Sequence, residues 1–136
     1  MRLTAAARAD QVRLLVMAAR AAWEGSLGAH EVVDDAELVL AELLNNVVIH
    51  GVRPDHGDGS IALEVTIAVD AEALVLEVAD GFAPYVPPEV PDAPPGGLAE
   101  GGYGTYLVHS LMDEVRYERQ GDRNVVIARR RWNTPA

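Results

Sequence analysis

Glu42 to Gly51 reads ELLNNVVIHG, and the placing of this stretch on a helix decides how the rest of the chain is read. The helix pattern opens after Asp34-Asp35, which suit an N-cap and an acidic first turn, and closes at Gly51, with Pro54 just beyond. At about 100° per residue, Leu40, Leu43, Leu44, Val47 and Val48 share one broad apolar face, opposite Asp34, Glu37, Ala41 and Asn45. Glu42, Asn46 and His50 fall between the two faces, so a carboxylate, an amide and an imidazole line one flank. A carboxylate at the margin of a buried helix needs a partner for the hydration it loses, and an amide oxygen beside it suits a hard cation. The pair points to a metal-assisted site; read alone, the same residues only widen a solvated stripe.

Upstream, Met1 to Ala5 reads as a short edge strand, and from about Asp10 a second amphipathic helix carries Val12, Leu15, Val16, Ala19 and Trp23 at spacings of three and four. Arg8, Arg13 and Arg20 line its outer side as a solvated face or a partner surface. Gly25 to His30 is a turn. Downstream, Arg53 to Ser60 is rich in turn formers; its Asp55 and Asp58 lack the full ligand series of a calcium loop. Ile61 to Val69 and Ala73 to Ala79 alternate in polarity and predict an antiparallel hairpin joined at Asp70 to Glu72.

Asp80 closes the second of these strands, where a carboxylate can accept a hydrogen bond from an amine or a base edge; Asp-Gly is also ordinary turn punctuation. Phe82 to Gly102 then contains six prolines and four glycines without periodicity. A segment this long inside a small domain reads as a lid over a site. Gly101-Gly102-Tyr103-Gly104-Thr105 leads into a helical pattern from Tyr106 to Asp113, whose first backbone N–H groups suit an anion, although a GxG by itself is often a tight turn. Val115 to Glu118 and Val125 to Arg131 predict two closing strands, with Arg129 to Arg131 as solubilising charges on an edge.

The bulk numbers narrow the function classes. The 136 residues suit one domain, 1–136, and a hydrophobic share of 49% supplies a core. No apolar run approaches the roughly eighteen residues of a membrane span and no export signal opens the chain, so a cytoplasmic protein without a membrane partner is expected. A net charge of -10 opposes direct nucleic-acid binding. Every basic residue is arginine, which excludes a Walker-type lysine and Schiff-base chemistry; with no cysteine and no paired histidines there is no zinc signature.

Each motif is weak alone, but their order is specific: a Glu-xxx-Asn-xxx-His helix, a strand ending in Asp, a lid and a glycine-led helix. That series resembles the GHKL-type ATP-binding fold, and within it the anti-sigma-factor serine kinases. ELLNNVVIHG looks like the family's N box, Asp80-Gly81-Phe82-Ala83-Pro84 stands at its first glycine box, and GGYGTYLVHSLMDEV stands at its second. The match runs from about Asp10 to Trp132. It implies an α/β two-layer sandwich, with a mixed, mostly antiparallel sheet and helices on one face, and a lid over 82–102.

The resemblance further implies that Glu42 is the general base and that Asn46 holds Mg²⁺ on the nucleotide phosphates. Asp80 would accept from the adenine amine, and His50, Gly81, Gly101, Gly102, Gly104 and Thr105 would complete the site for ATP or ADP. The implied activity is a protein-serine kinase that phosphorylates an anti-anti-sigma (STAS-type) partner and sequesters a sigma factor, as a homodimer. Phosphoryl transfer is mostly positioning and charge neutralisation, so it does not require a lysine. Two positions depart from the pattern: Phe82 stands where a glycine is expected, and Thr105 where a branched aliphatic is expected. Phe82 motivates a second reading, a non-catalytic adaptor with weak or no nucleotide binding. The ATPase half of a histidine kinase ranks below both, because no phosphoacceptor helix precedes the domain.

Overall fold

The computed structural model describes residues 1–28, 30–51, 62–84 and 103–132, the side chains of His50 and Tyr103 excepted. Within them the order is β1 (Arg2–Ala6), α1 (Ala9–Leu27), α2 (Glu31–Gly51), β2 (Ala62–Val69), β3 (Ala73–Asp80), α3 (Tyr103–Leu111), β4 (Glu114–Gln120) and β5 (Arg123–Arg131). The strands form one sheet in the order β1-β2-β3-β5-β4. All four pairings are antiparallel, so the expected sandwich has no parallel pair among the described residues.

Periodicity explains the helices. In α1 the buried residues are Val12, Leu15, Val16, Ala19 and Trp23, the stripe expected from spacings of three and four. Gly28 stops the helix: at φ 66° its backbone is strained for a side chain, and its N–H closes on the Glu24 carbonyl at 2.8 Å. Helix α2 starts three residues before the expected Asp34-Asp35 cap, because His30 does the capping. Its Nδ1 accepts from the Val32 N–H at 3.1 Å and its carbonyl accepts from the Val33 N–H at 3.0 Å. Asp34 and Asp35 are thereby released for ion pairs, Asp34 with Arg20 at 2.9 Å and Asp35 with Arg130 at 3.1 Å. Arg20 also pairs with Glu24 and Glu37, and these carboxylates hold its guanidinium firmly charged between α1 and α2.

The register lines up the helix-facing side chains in rows across the sheet. Val65, Val78, Val126 and Tyr117 form one row; Ile67, Leu76, Ala128 and Val115 form the next. Most of these residues belong to the buried core cluster with Leu40, Leu43 and Leu44 of α2, which identifies the face that the helices cover. Both ends of this apolar band are polar. At one end Leu74 pairs with Arg130, and at the other Leu63, Asp80, Asn124 and Arg119 stand in register.

The last strand corrects the sequence reading. Strand β5 is no edge; it runs between β3 and β4. Arg130 is accordingly half-buried, donating from a guanidinium nitrogen to the Leu111 carbonyl at the end of α3 at 2.8 Å as well as pairing with Asp35. Strand order is a long-range property that the alternation of Val125 to Arg131 does not carry. The expected helix over Tyr106 to Asp113 shifts as well. It begins at Tyr103 and ends at Leu111, because the Asp113 N–H turns to the Arg129 carbonyl at 2.8 Å and its carboxylate accepts from the Arg131 N–H at 2.6 Å.

In the β2–β3 hairpin the Asp70 carboxylate accepts from the Glu72 and Ala73 N–H groups at 2.7 and 2.8 Å. These bonds favour the charged form and lower the carboxyl pKa from its ordinary value of 3.8. A depressed folded pKa means stability that is present above the unfolded value and lost as pH falls through the folded one. Asp70→Asn should therefore lower the urea midpoint at pH 7, and the difference from wild type should shrink below about pH 3.8. A deficit that stays constant down to pH 2.5 would show that the turn does not depend on the charge.

No helix among the described residues is long and apolar enough to cross a membrane.

Candidate functional site

Helix α2 carries Glu42 and Asn46 on the flank between its core and outer faces. Both are half-buried, whereas Asn45 is exposed. Glu42 abuts the first turn of α3. A Cβ built on Gly104 would overlap the Glu42 carboxylate and stand 3.1 Å from its Cδ. With no Cβ at position 104 the Glu42 carboxylate can lie against α3, and the contact sets a carboxylate beside the amino end of a helix, where the peptide dipoles favour negative charge. Thr105, the next residue, is buried at 6% exposure, and the three described residues of the glycine-led motif, Tyr103, Gly104 and Thr105, lie within α3 rather than in a preceding turn. Helix α3 leans on β4 through His109, which stacks on Tyr117 with ring centroids 6.0 Å apart; burial lowers the imidazole pKa.

Asp80 ends β3 at the polar end of the helix-covered face and is 4% exposed. Its Oδ1 accepts two hydrogen bonds of 2.9 Å, from the Phe82 N–H and from Asn124 Nδ2. Among the described residues no donor reaches Oδ2. A buried carboxylate with one oxygen saturated and the other open suits a ligand that brings a donor, such as an exocyclic amine. Gly81 follows at the surface. The Phe82 side chain, at the position that departs from the family pattern, packs into the core cluster at 6% exposure.

Glu42, Gly104 and Asp80 thus share one side of the sheet. Asn46 makes no side-chain hydrogen bond among the described residues, which leaves its amide oxygen free to meet a cation. His50 lies in the last turn of α2, with its side chain outside the described residues. Gly101, Gly102 and the expected lid from residue 85 onward also lie outside them.

A cavity of about 380 Å³ opens elsewhere, between the end of α1 and the start of α2, lined by Arg20, Glu24, Gly28, His30, Val33 and Asp34. Its charges are already engaged in the Arg20 ion-pair network, and none of the groups above is among these lining residues.

Asn124 and Arg119 escaped the sequence reading, which began the last strand at Val125 and ended the one before it at Glu118. One signal was present. Asn124, Val126, Ala128 and Arg130 alternate in phase, so Asn124 is a polar residue in a core-facing position of a strand.

The family model described as "Histidine kinase-like ATPase domain" matches residues 5–130. The chain is similar to the serine-protein kinase RsbW of Bacillus subtilis, 27% identical over 110 residues, covering 74% of this chain and 66% of that protein. It is similar to RsbW of Bacillus licheniformis, 28% identical over 100 residues, covering 66% of this chain and 60% of that one. For RsbW of Staphylococcus aureus the figures are 28% over 126 residues, 85% and 77%. The chain therefore spans less than two thirds of the two Bacillus relatives. Among solved structures, the RsbU and RsbW domains of a Mycobacterium tuberculosis protein superpose with a TM-score of 0.61 at 19% identity, over 100% of this chain and 34% of that one, a likeness of fold.

Proposed function

Since the chain belongs to the histidine kinase-like ATPase domain family, we propose that it is a protein-serine kinase that uses Mg-ATP to phosphorylate an anti-anti-sigma (STAS-type) partner and that sequesters a sigma factor. The observation that carries this reading is the meeting of Glu42 with Gly104, which sets a proton acceptor at the glycine-led helix on the same side of the sheet as Asp80. The names of the RsbW relatives support the kinase class. The further assignment of a homodimer follows the family resemblance alone, and that of a cytoplasmic location follows from the sequence, in which no apolar run approaches a membrane span.

The residues present fit the nucleotide. Asp80 Oδ2 would accept from the adenine amine, since Oδ1 is already engaged, and the first backbone N–H groups of α3 would meet phosphate oxygens beside the Glu42 carboxylate, which the missing Cβ of Gly104 admits. Asn46 would hold the metal through its amide oxygen, and Mg²⁺ would supply neutralisation of the phosphate charge when bound. Glu42 would take the proton of the partner's serine hydroxyl as the serine oxygen bonds to the γ-phosphorus and the bond from that phosphorus to the β,γ-bridging oxygen of ATP breaks, releasing ADP. Little else is required of the protein, which is consistent with a site without lysine.

Labelled phosphate should pass from ATP to a serine of the STAS-type partner, and titration calorimetry should show ATP and ADP binding. A folded protein that gives no heat with either nucleotide would favour the adaptor reading instead. Asn46→Ala should weaken ATP binding in the presence of Mg²⁺ by about ten-fold or more, the scale of a lost hydrogen bond to a charged group. In EDTA the variant and the wild type should bind alike. Equal loss with and without Mg²⁺ would exclude Asn46 as the metal ligand.

A further inference from the structure

Arg119 ends the row Leu63, Asp80, Asn124 and Arg119, and it lies on the edge strand with its side chain at the surface. Its NH1 donates to Asn124 Oδ1 at 3.1 Å and to the Phe82 carbonyl at 2.9 Å, while its Nε donates to the Gly121 carbonyl at 3.1 Å. Asn124 Nδ2 in turn donates to Asp80 Oδ1 at 2.9 Å, to the Ala83 carbonyl at 3.1 Å and to the Phe82 carbonyl at 3.3 Å. We infer that Arg119 is a positioning residue for the nucleobase: acting through Asn124, it locks the Asp80 carboxylate so that Oδ2 alone is offered to the ligand. This rests on the nucleotide reading above.

The chemistry of the donors makes the lock directional. A guanidinium has no acceptor, so the atom of Asn124 that meets Arg119 is the amide oxygen, and the NH₂ group is thereby turned toward Asp80. A carboxylate has no donor, so the contact on the other side demands the same orientation. With both neighbours dictating one amide orientation, Asn124 does not flip. Oδ1 stays occupied by two donors, and the carboxylate cannot rotate to exchange its oxygens without breaking both bonds. The same guanidinium nitrogen holds the Phe82 carbonyl, whose own residue supplies the second donor to Oδ1. The clamp therefore closes on itself through β3, β4 and β5, and its outermost member is a surface residue that the core does not need.

The test compares Arg119→Ala with wild type and with Arg116→Ala, a neighbouring edge-strand arginine that pairs, among the described residues, with Glu114 and Glu118. Arg119→Ala should weaken Mg-ATP binding about ten-fold and reduce the preference for ATP over GTP by a similar factor, because a mobile carboxylate discriminates poorly between a 6-amino and a 6-oxo purine. Transfer at saturating ATP should stay within about two-fold of wild type, and Arg116→Ala should change none of these. In the ligand-free protein, hydrogen exchange at the Phe82 amide and the Asn124 side-chain amide should quicken in Arg119→Ala alone. Unchanged ATP affinity and unchanged discrimination would overturn the inference. A wild type that binds neither nucleotide would remove the nucleotide reading itself. The exchange rates then decide the clamp: faster exchange in Arg119→Ala upholds the orienting role, and unchanged exchange ends it.

Discussion

Glu42→Gln should bind ATP as the wild type does and transfer phosphate about 10²- to 10⁴-fold more slowly, the usual contribution of a positioned general base. The amide keeps the shape and packing of the carboxylate at the edge of α2, so the contact with Gly104 survives while the proton acceptor is lost. Single-turnover transfer of labelled phosphate to the STAS-type partner measures it, with nucleotide affinity followed separately. A rate within ten-fold of wild type would show that the proton leaves by another route. Gly104→Ala provides the geometric counterpart, because its Cβ overlaps the Glu42 carboxylate and must push it aside. The two changes disable the same group, so the double variant should be little slower than the slower single one.

Asp80→Asn should fold normally and exchange one base preference for another. The amide oxygen can take the place of Oδ1 and keep the bonds from Phe82 N–H and Asn124 Nδ2, both of which are donors. The new NH₂ group then occupies the place of Oδ2 and meets the adenine amine donor to donor. ATP affinity should fall by about 10- to 100-fold, since a site built for one hydrogen-bonding pattern leaves polar groups unpaired when offered another. A 6-oxo purine presents an acceptor to that NH₂, so GTP should bind the variant more tightly than ATP. Competition between the two nucleotides for wild type and variant measures it. An undiminished preference for ATP would remove Asp80 from the base site.

The elements of this protein were legible because their signals are local. The three- and four-residue spacing from Val12 to Trp23 and from Leu40 to Val48 predicts the helices, and the alternation in Ile61 to Val69 and Ala73 to Ala79 predicts the hairpin observed as Ala62–Val69 and Ala73–Asp80. The ends were less legible. His30 caps α2 with a ring nitrogen, an unusual cap, and so the helix opens ahead of the more conventional Asp34-Asp35.

For the candidate site, the row of Glu42, Asn46 and His50 could be read from residues four apart on one helix. The roles given to them, and the choice of Asp80 over an ordinary Asp-Gly turn, came from resemblance across three separated motifs. Asn124 and Arg119 carry no motif. Their meaning depends on which residues of β3 and β4 stand beside them, and that is a matter of register.

The sequence by itself determined the helical and extended segments, the residues that form the core and the flank on which Glu42 and Asn46 stand, because each depends on periodicity within one segment. Tertiary structure alone decided that β5 runs inside the sheet, that Arg130 reaches α2 and α3, that Gly104 presses on Glu42, and that Asp80, Asn124 and Arg119 form one polar row. These features join residues far apart in the chain. Their positions are set by strand pairing and by the packing of whole elements, for which a single segment carries no record.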